Sequence, residues 1–230
     1  MGPPEMDWLP AAIAFWDFQT NNRRMPDVVY LNLWLQPFQE HTMLPYWQRA
    51  IENFPASSER PGVRALAIYP LDWNQTATVE DTFLTGGSAE EAFQLAQEFL
   101  HADCAYEARL CWDLWLPKSE DPSDGWERRP QGVSIVCLGE QFGPNGEEDS
   151  GHMQINFGPE VNFLPPDLWD LEPEEKQEAM AGPQLGENIE KMVSYARTLE
   201  HSLPVVRRRL WCESGDDLAN RILSFWKMES

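Results

Sequence analysis

AYEARLCWDLWLP, residues 105–117, alternates apolar and polar side chains along most of its length. A period of two is the mark of a strand with one buried face. Ala108, Leu110, Trp112, Leu114 and Leu116 share one face, Glu107, Arg109, Asp113 and Trp115 share the other, and Pro117 stops the run. Just upstream, SAEEAFQLAQEFLH (88–101) reads as a helix. Ser88 and Glu91 form a capping box at its start, and Ala92, Phe93, Ala96, Phe99 and Leu100 make one apolar stripe.

Before that helix stand two more strand patterns. TVEDTFL (78–84) is polar enough for an outer strand, and VRALAIY (63–69) is apolar at nearly every position, as a central strand covered on both faces is. Thr42 is read as the cap of a helix that buries Leu44, Trp47, Ile51 and Phe54. VVYLNLWL (28–35) turns Val29, Leu31, Leu33 and Leu35 one way and Tyr30, Asn32 and Trp34 the other. The order strand, helix, strand, strand, helix, strand predicts a ferredoxin-like βαββαβ half, an antiparallel sheet with both helices on one face.

Downstream, KSEDPSDGWERRPQ (118–131) reads as a polar loop, while GVSIVCLG (132–139) and HMQINF (152–157) read as a hairpin that extends the sheet. From 158 to 186 the chain is acidic and proline-rich, with a short helix expected around Glu174–Ala179. A helix over 187–202, the strand VVRRRLWC (205–212) and a last helix from Gly215-Asp216, with Leu218, Ile222 and Phe225 inward, make a C-terminal αβα segment. The expected organisation is an N-terminal arm (1–27) and one α+β domain (28–230), with 28–117 and 132–230 as the halves of any subdivision. The sheet is expected to be mainly antiparallel.

With 38 Asp and Glu against 17 Lys and Arg, the chain carries a formal charge of −21. A field of that sign repels phosphate backbones and anionic lipid surfaces, so neither a nucleic acid nor a membrane is an expected partner. Thirteen of the acidic residues fall between Glu140 and Glu190, against the single Lys176. The four cysteines, 104, 111, 137 and 212, form no C-x-x-C pair. Together with an N-terminus that lacks the positive charge of a signal peptide, they point to a reducing cytoplasm. HADC (101–104) alone combines ligand-type residues, but zinc spacing is absent, so no metal and no cofactor is expected.

The triplet Arg207-Arg208-Arg209 is unusual in so acidic a chain. On a strand, Arg207 and Arg209 share a face with Trp211 while Arg208 points the other way. The expected partners of the two guanidiniums are the strand carboxylates Glu107 and Asp113, near Arg109. Trp34 and Trp115 fall on the polar faces of their strands, as covered rings or as a binding surface. No nucleophile elbow, phosphate loop or dinucleotide fingerprint is present. The sequence therefore reads as a non-catalytic interaction protein for a basic partner, in the manner of small acidic inhibitor or immunity proteins. Two alternatives stand beside it. One is an enzyme with a polar site around Arg109, Asp113, Arg207 and Arg209; the other is a small-ligand binder using Trp34 and Trp115.

Overall fold

The computed structural model describes residues 27–119, 125–143, 150–164 and 183–212. The N-terminal arm, the short helix around Glu174–Ala179 and the last helix from Gly215 lie outside the described residues. The elements are β1 (Val28–Leu35), α1 (Glu40–Glu52), β2 (Val63–Pro70), β3 (Val79–Gly87), α2 (Ala89–Gln97), β4 (Cys104–Pro117), β5 (Trp126–Leu138), β6 (Met153–Pro159), a single turn over Glu160–Asn162, α3 (Pro183–Ser202) and β7 (Val205–Cys212).

All seven strands join one sheet in the order β3-β2-β4-β5-β6-β1-β7, and every neighbouring pair is antiparallel. The protein is α+β, as the strand and helix patterns predict. The strand order departs from the ferredoxin-like expectation, which sets β1 beside β4. Here both sides of the first half of β4 are taken: β5 pairs with β4 from Ala105 to Pro117, and β2 holds the opposite side from Cys104 to Arg109. β1 is instead flanked by β6 and β7. One sheet therefore draws its strands from both halves of the chain.

The helices cover one face. Leu31, Leu33 and Leu35 of β1, Leu110, Trp112 and Leu114 of β4, and Trp47 of α1 share a single core with Met192, Tyr195 and Leu199 of α3. Trp47 places its indole N–H on the Ile135 carbonyl at 2.9 Å, which satisfies a buried donor at the centre of the sheet. On the opposite face the register aligns one residue from each strand in a row: Glu80, Ala67, Glu107, Val136, Gln154, Asn32 and Arg209. Carboxylates stand at the β3 side of this row and arginine at the β7 side. Near the β2 end of this face, Ala105, Val136, Leu138 and Phe142 form a second small cluster with Tyr69 packed on it.

Local readings fared unevenly. Ser88 and Glu91 form the reciprocal capping box expected of them. Thr42 is not the cap of α1; Gln39 is, and the Thr42 hydroxyl accepts from the Gln39 N–H at 2.9 Å from the third helical position. α2 ends at Gln97, so Phe99 leaves the apolar stripe and is 39% exposed, its carbonyl accepting from the Tyr106 hydroxyl at 2.9 Å. The segment read as a loop up to residue 131 joins β5 from Trp126 onward. Pro130 lies within that strand opposite Asp113, where the β6 side of β5 has already ended at Ser134. A proline costs no ladder bond at such a free edge.

Candidate functional site

Past Arg109, β4 loses its neighbour β2 and runs on with one open edge. Unpaired backbone groups there need partners, and side chains supply them. The Ser57 N–H donates to the Cys111 carbonyl at 2.7 Å, and Lys191 Nζ donates to the Asp113 carbonyl at 3.0 Å. The Asn188 amide grips both polar groups of Trp115, accepting from its N–H and donating to its carbonyl, each at 2.9 Å. Asn188 also donates to the Asn162 carbonyl at 2.8 Å and is 2% exposed. An asparagine on the buried stripe of α3 is thus a substitute strand.

Between this edge, α3 and the end of α1 lies an open cleft of about 540 Å³, lined by Asn53, Asp113, Trp115, Arg128, Glu190 and Lys191 among others. The Asp113 carboxylate accepts from the Ser58 N–H at 2.9 Å and its hydroxyl at 3.0 Å. Burial alone would raise this carboxyl, but hydrogen bonds from Ser57 and Ser58, with the charge of Lys191, hold it below its usual range. Burial lowers the Lys191 ammonium against the opposing pull of Asp113. Glu187 receives the Trp115 indole N–H at 2.7 Å and Arg128 at 2.8 Å, which keeps its carboxyl low. Arg128 also lies 4.8 Å over the Trp115 ring. Such a cleft can hold a small polar or zwitterionic molecule between Lys191 and the carboxylates.

The other residues singled out from sequence fall elsewhere. On the helix-free face, Arg109 donates to Glu107 at 3.0 Å, approaches Glu80 at 3.8 Å and reaches the Tyr69 hydroxyl at 3.4 Å. Arg207 and Arg209 do not meet Glu107 or Asp113. β7 is separated from β4 by β1, β6 and β5, about 19 Å across four strand spacings. Arg207 instead lies 4.2 Å over the Trp34 ring and Arg209 5.7 Å over Trp211, which stacks on Tyr30 at 4.8 Å. Arg208 pairs with Glu200 on α3. Arg109, Asp113, Arg207 and Arg209 thus form no single polar site, and Trp34 and Trp115 share no surface.

In HADC, His101 Nδ1 meets the Asp103 carboxylate at 2.7 Å. Burial and that same aspartate push the Cys104 thiol up to about 11. Burial likewise raises Cys137, so both thiols behave as core atoms rather than nucleophiles. Among the described residues, Asp27, Glu160 and Cys212 bring potential ligand atoms within 4.8 Å of one another. Glu160 and Cys212 each have a further interaction of their own.

Sequence reasoning missed Arg128, Glu187, Asn188 and Lys191. It also passed over Leu71 and Trp73, which follow β2 and are 55% and 52% exposed. The available signals were a polar residue on an apolar helix stripe and a tryptophan inside a turn. No protein family, no curated protein and no solved structure matches the chain.

Proposed function

We propose that the chain is a binding protein for a cationic protein partner, acting by charge and surface fit rather than by catalysis. The observation that carries this reading is how its own cations are used. Arg49 and Arg64 donate to the Ser202 and Leu84 carbonyls. Arg109, Arg128 and Arg208 are paired with Glu107, Glu187 and Glu200, and Arg207 and Arg209 lie over tryptophan rings. Most described basic side chains are engaged within the fold, so much of the excess behind the −21 charge is left for a partner to neutralise. The dispersal of Arg109, Asp113, Arg207 and Arg209 over separate parts of the sheet supports binding over chemistry. The proposal places the protein in a reducing cytoplasm, where its four free thiols stay reduced.

The test is capture from native lysate at low salt, followed by a salt gradient. The expected result is a basic protein that elutes as the screening length falls below about 8–10 Å. Replacing Glu172, Glu174, Glu175 and Glu178 by glutamine should weaken its retention. No basic partner at low salt would overturn the proposal, and one retained at molar salt would assign the affinity to apolar contact instead.

A second reading, a small polar ligand in the cleft beside β4, is favoured by the half-buried Lys191 at its wall. A thermal-shift screen of amino acids and short dicarboxylates, repeated on Lys191→Met, tests it. A shift that disappears in the variant supports this reading, and no shift with any compound removes it.

A further inference from the structure

β2 ends at Pro70, and the next residue, Leu71, holds φ at +65°; it is the one non-glycine residue with positive φ among those described. That region clashes with a bulky side chain, so glycine, asparagine or aspartate is the usual choice there. Leucine is kept in place by two backbone bonds. Its N–H donates to the Asp103 carbonyl at 2.8 Å, and its carbonyl accepts from the Gly143 N–H at 2.7 Å. Strain held this firmly is found where a surface must present something.

What the loop presents is apolar. Leu71 and Trp73 are both more than half exposed. Trp73 rests on Tyr69 at 5.1 Å and edge-on against Phe142 at 5.0 Å, so the small cluster on the helix-free face anchors it from below. Among the described residues no arginine or lysine lies over its ring, in contrast to Trp34, Trp112, Trp115 and Trp211. The local charge is negative. Asp72 is in the loop, Asp103 holds it, Glu107 contacts the Tyr69 hydroxyl at 3.4 Å, and the exposed Glu140 belongs to the turn that brings in Phe142. The nearby Arg109 is committed to Glu107 and the His101 ring bonds the Asp103 carboxylate, which leaves Asp72 and Glu140, of these carboxylates, outside such pairs among the described residues.

We infer that the Leu71–Trp73 loop is where a basic segment of the partner docks, an arginine or lysine head stacking on Trp73 and an apolar neighbour covering Leu71. The inference deepens the function proposed above and rests on it. An exposed indole in an acidic loop suits a cation stacked within about 6 Å of the ring, and paired apolar and aromatic anchors are where binding energy concentrates.

The test uses the full chain and a fluorescein-labelled octapeptide of alternating arginine and leucine, followed by anisotropy at low salt. Trp73→Ala and Leu71→Asn are each expected to weaken binding about tenfold, while Arg207→Ala leaves it unchanged. Thermal melts of the same samples show that the variants remain folded. If Trp73→Ala binds like the wild-type chain and the binding remains salt-sensitive, the docking site lies elsewhere and only this inference falls. If the wild-type chain shows no salt-sensitive binding to the peptide, the proposed function falls with it.

Discussion

Two regions of the helix-free face combine aromatic rings with charge, and they use the combination in opposite ways. At the β7 end, Trp34 and Trp211 already carry guanidiniums from their own sheet, and Trp34 is 8% exposed. At the end of β2, Trp73 follows Asp72 in the loop, is 52% exposed and carries no guanidinium or ammonium among the described residues. The same physics, attraction between a cation and a ring face, is satisfied internally in one place and offered outward in the other. A satisfied pair contributes to folding. An unsatisfied one contributes nothing until a partner arrives, and the strain at Leu71 makes that end slightly costly to the fold. The open edge of β4 belongs with the satisfied class, since Asn188, Lys191 and Ser57 close it.

This contrast is tested hardest at the closed edge. Asn188→Ala removes the partners of the Trp115 N–H and of the Trp115 and Asn162 carbonyls at once. Leaving such groups unmet should cost about 3 kcal/mol, read as a lower urea midpoint with the slope unchanged. A loss below about 1 kcal/mol would mean that water replaces the amide and that the edge is not closed in the sense argued.

The next largest effect belongs to the β7 end. Arg207→Ala should cost about 1–2 kcal/mol, because the guanidinium and its stem cover Trp34. Arg209→Ala should cost less, about 0.5 kcal/mol, since its guanidinium is 5.7 Å from the Trp211 ring against 4.2 Å for Arg207 over Trp34. Equal and negligible losses in both variants would erase the distinction between a closed end and an open one.

At the open end the sign reverses. Leu71→Asn replaces a strained leucine by a residue that tolerates positive φ, and should raise stability by about 0.5–1 kcal/mol. Calorimetric melting decides it. A destabilised variant would show that Leu71 packs as a core residue does, and the argument from strain would fail.

The faces of these strands were legible in sequence, and their neighbours were not. Alternation in residues 105–117 identified Leu110, Trp112 and Leu114 as buried, and VVRRRLWC as a strand. Alternation fixes which way a side chain points but carries no record of the pairing strand. The arginines were therefore assigned to carboxylates four strands away. The opening of β5 was lost for a related reason. Glu127, Arg128 and Arg129 pair with the part of β4 that extends beyond β2, so their surroundings are wet and their composition resembles a loop. Asn188 and Trp73 contradict their local patterns, and such contradictions are where function or strain resides.

A smaller effect concerns Asp113, the carboxylate of the closed edge. Hydrogen bonds in the fold outweigh burial and lower its pKa, so its contribution is complete above the unfolded carboxyl value and disappears as pH falls through the folded one. Wild-type stability should therefore drop faster than that of Asp113→Asn between about pH 4.5 and pH 3. Parallel curves for the two proteins would show that Ser57 and Ser58 do not favour the ionised form.

The smallest expected change in stability is paired with an expected loss of binding of about tenfold. Trp73 is 52% exposed and contributes its contacts to Tyr69 and Phe142 at the surface. Trp73→Ala should accordingly shift stability by no more than about 0.5 kcal/mol, a quantity that chemical denaturation followed by far-ultraviolet circular dichroism resolves. An indole buried in the core would cost several times as much, about 3–5 kcal/mol. If Trp73→Ala falls toward that range, the ring is a structural element of the small cluster, and its openness to a partner is incidental. If it leaves the fold unaffected, the sheet has no structural use for an aromatic residue at that position, and its presence there has to be explained by what it meets outside the chain.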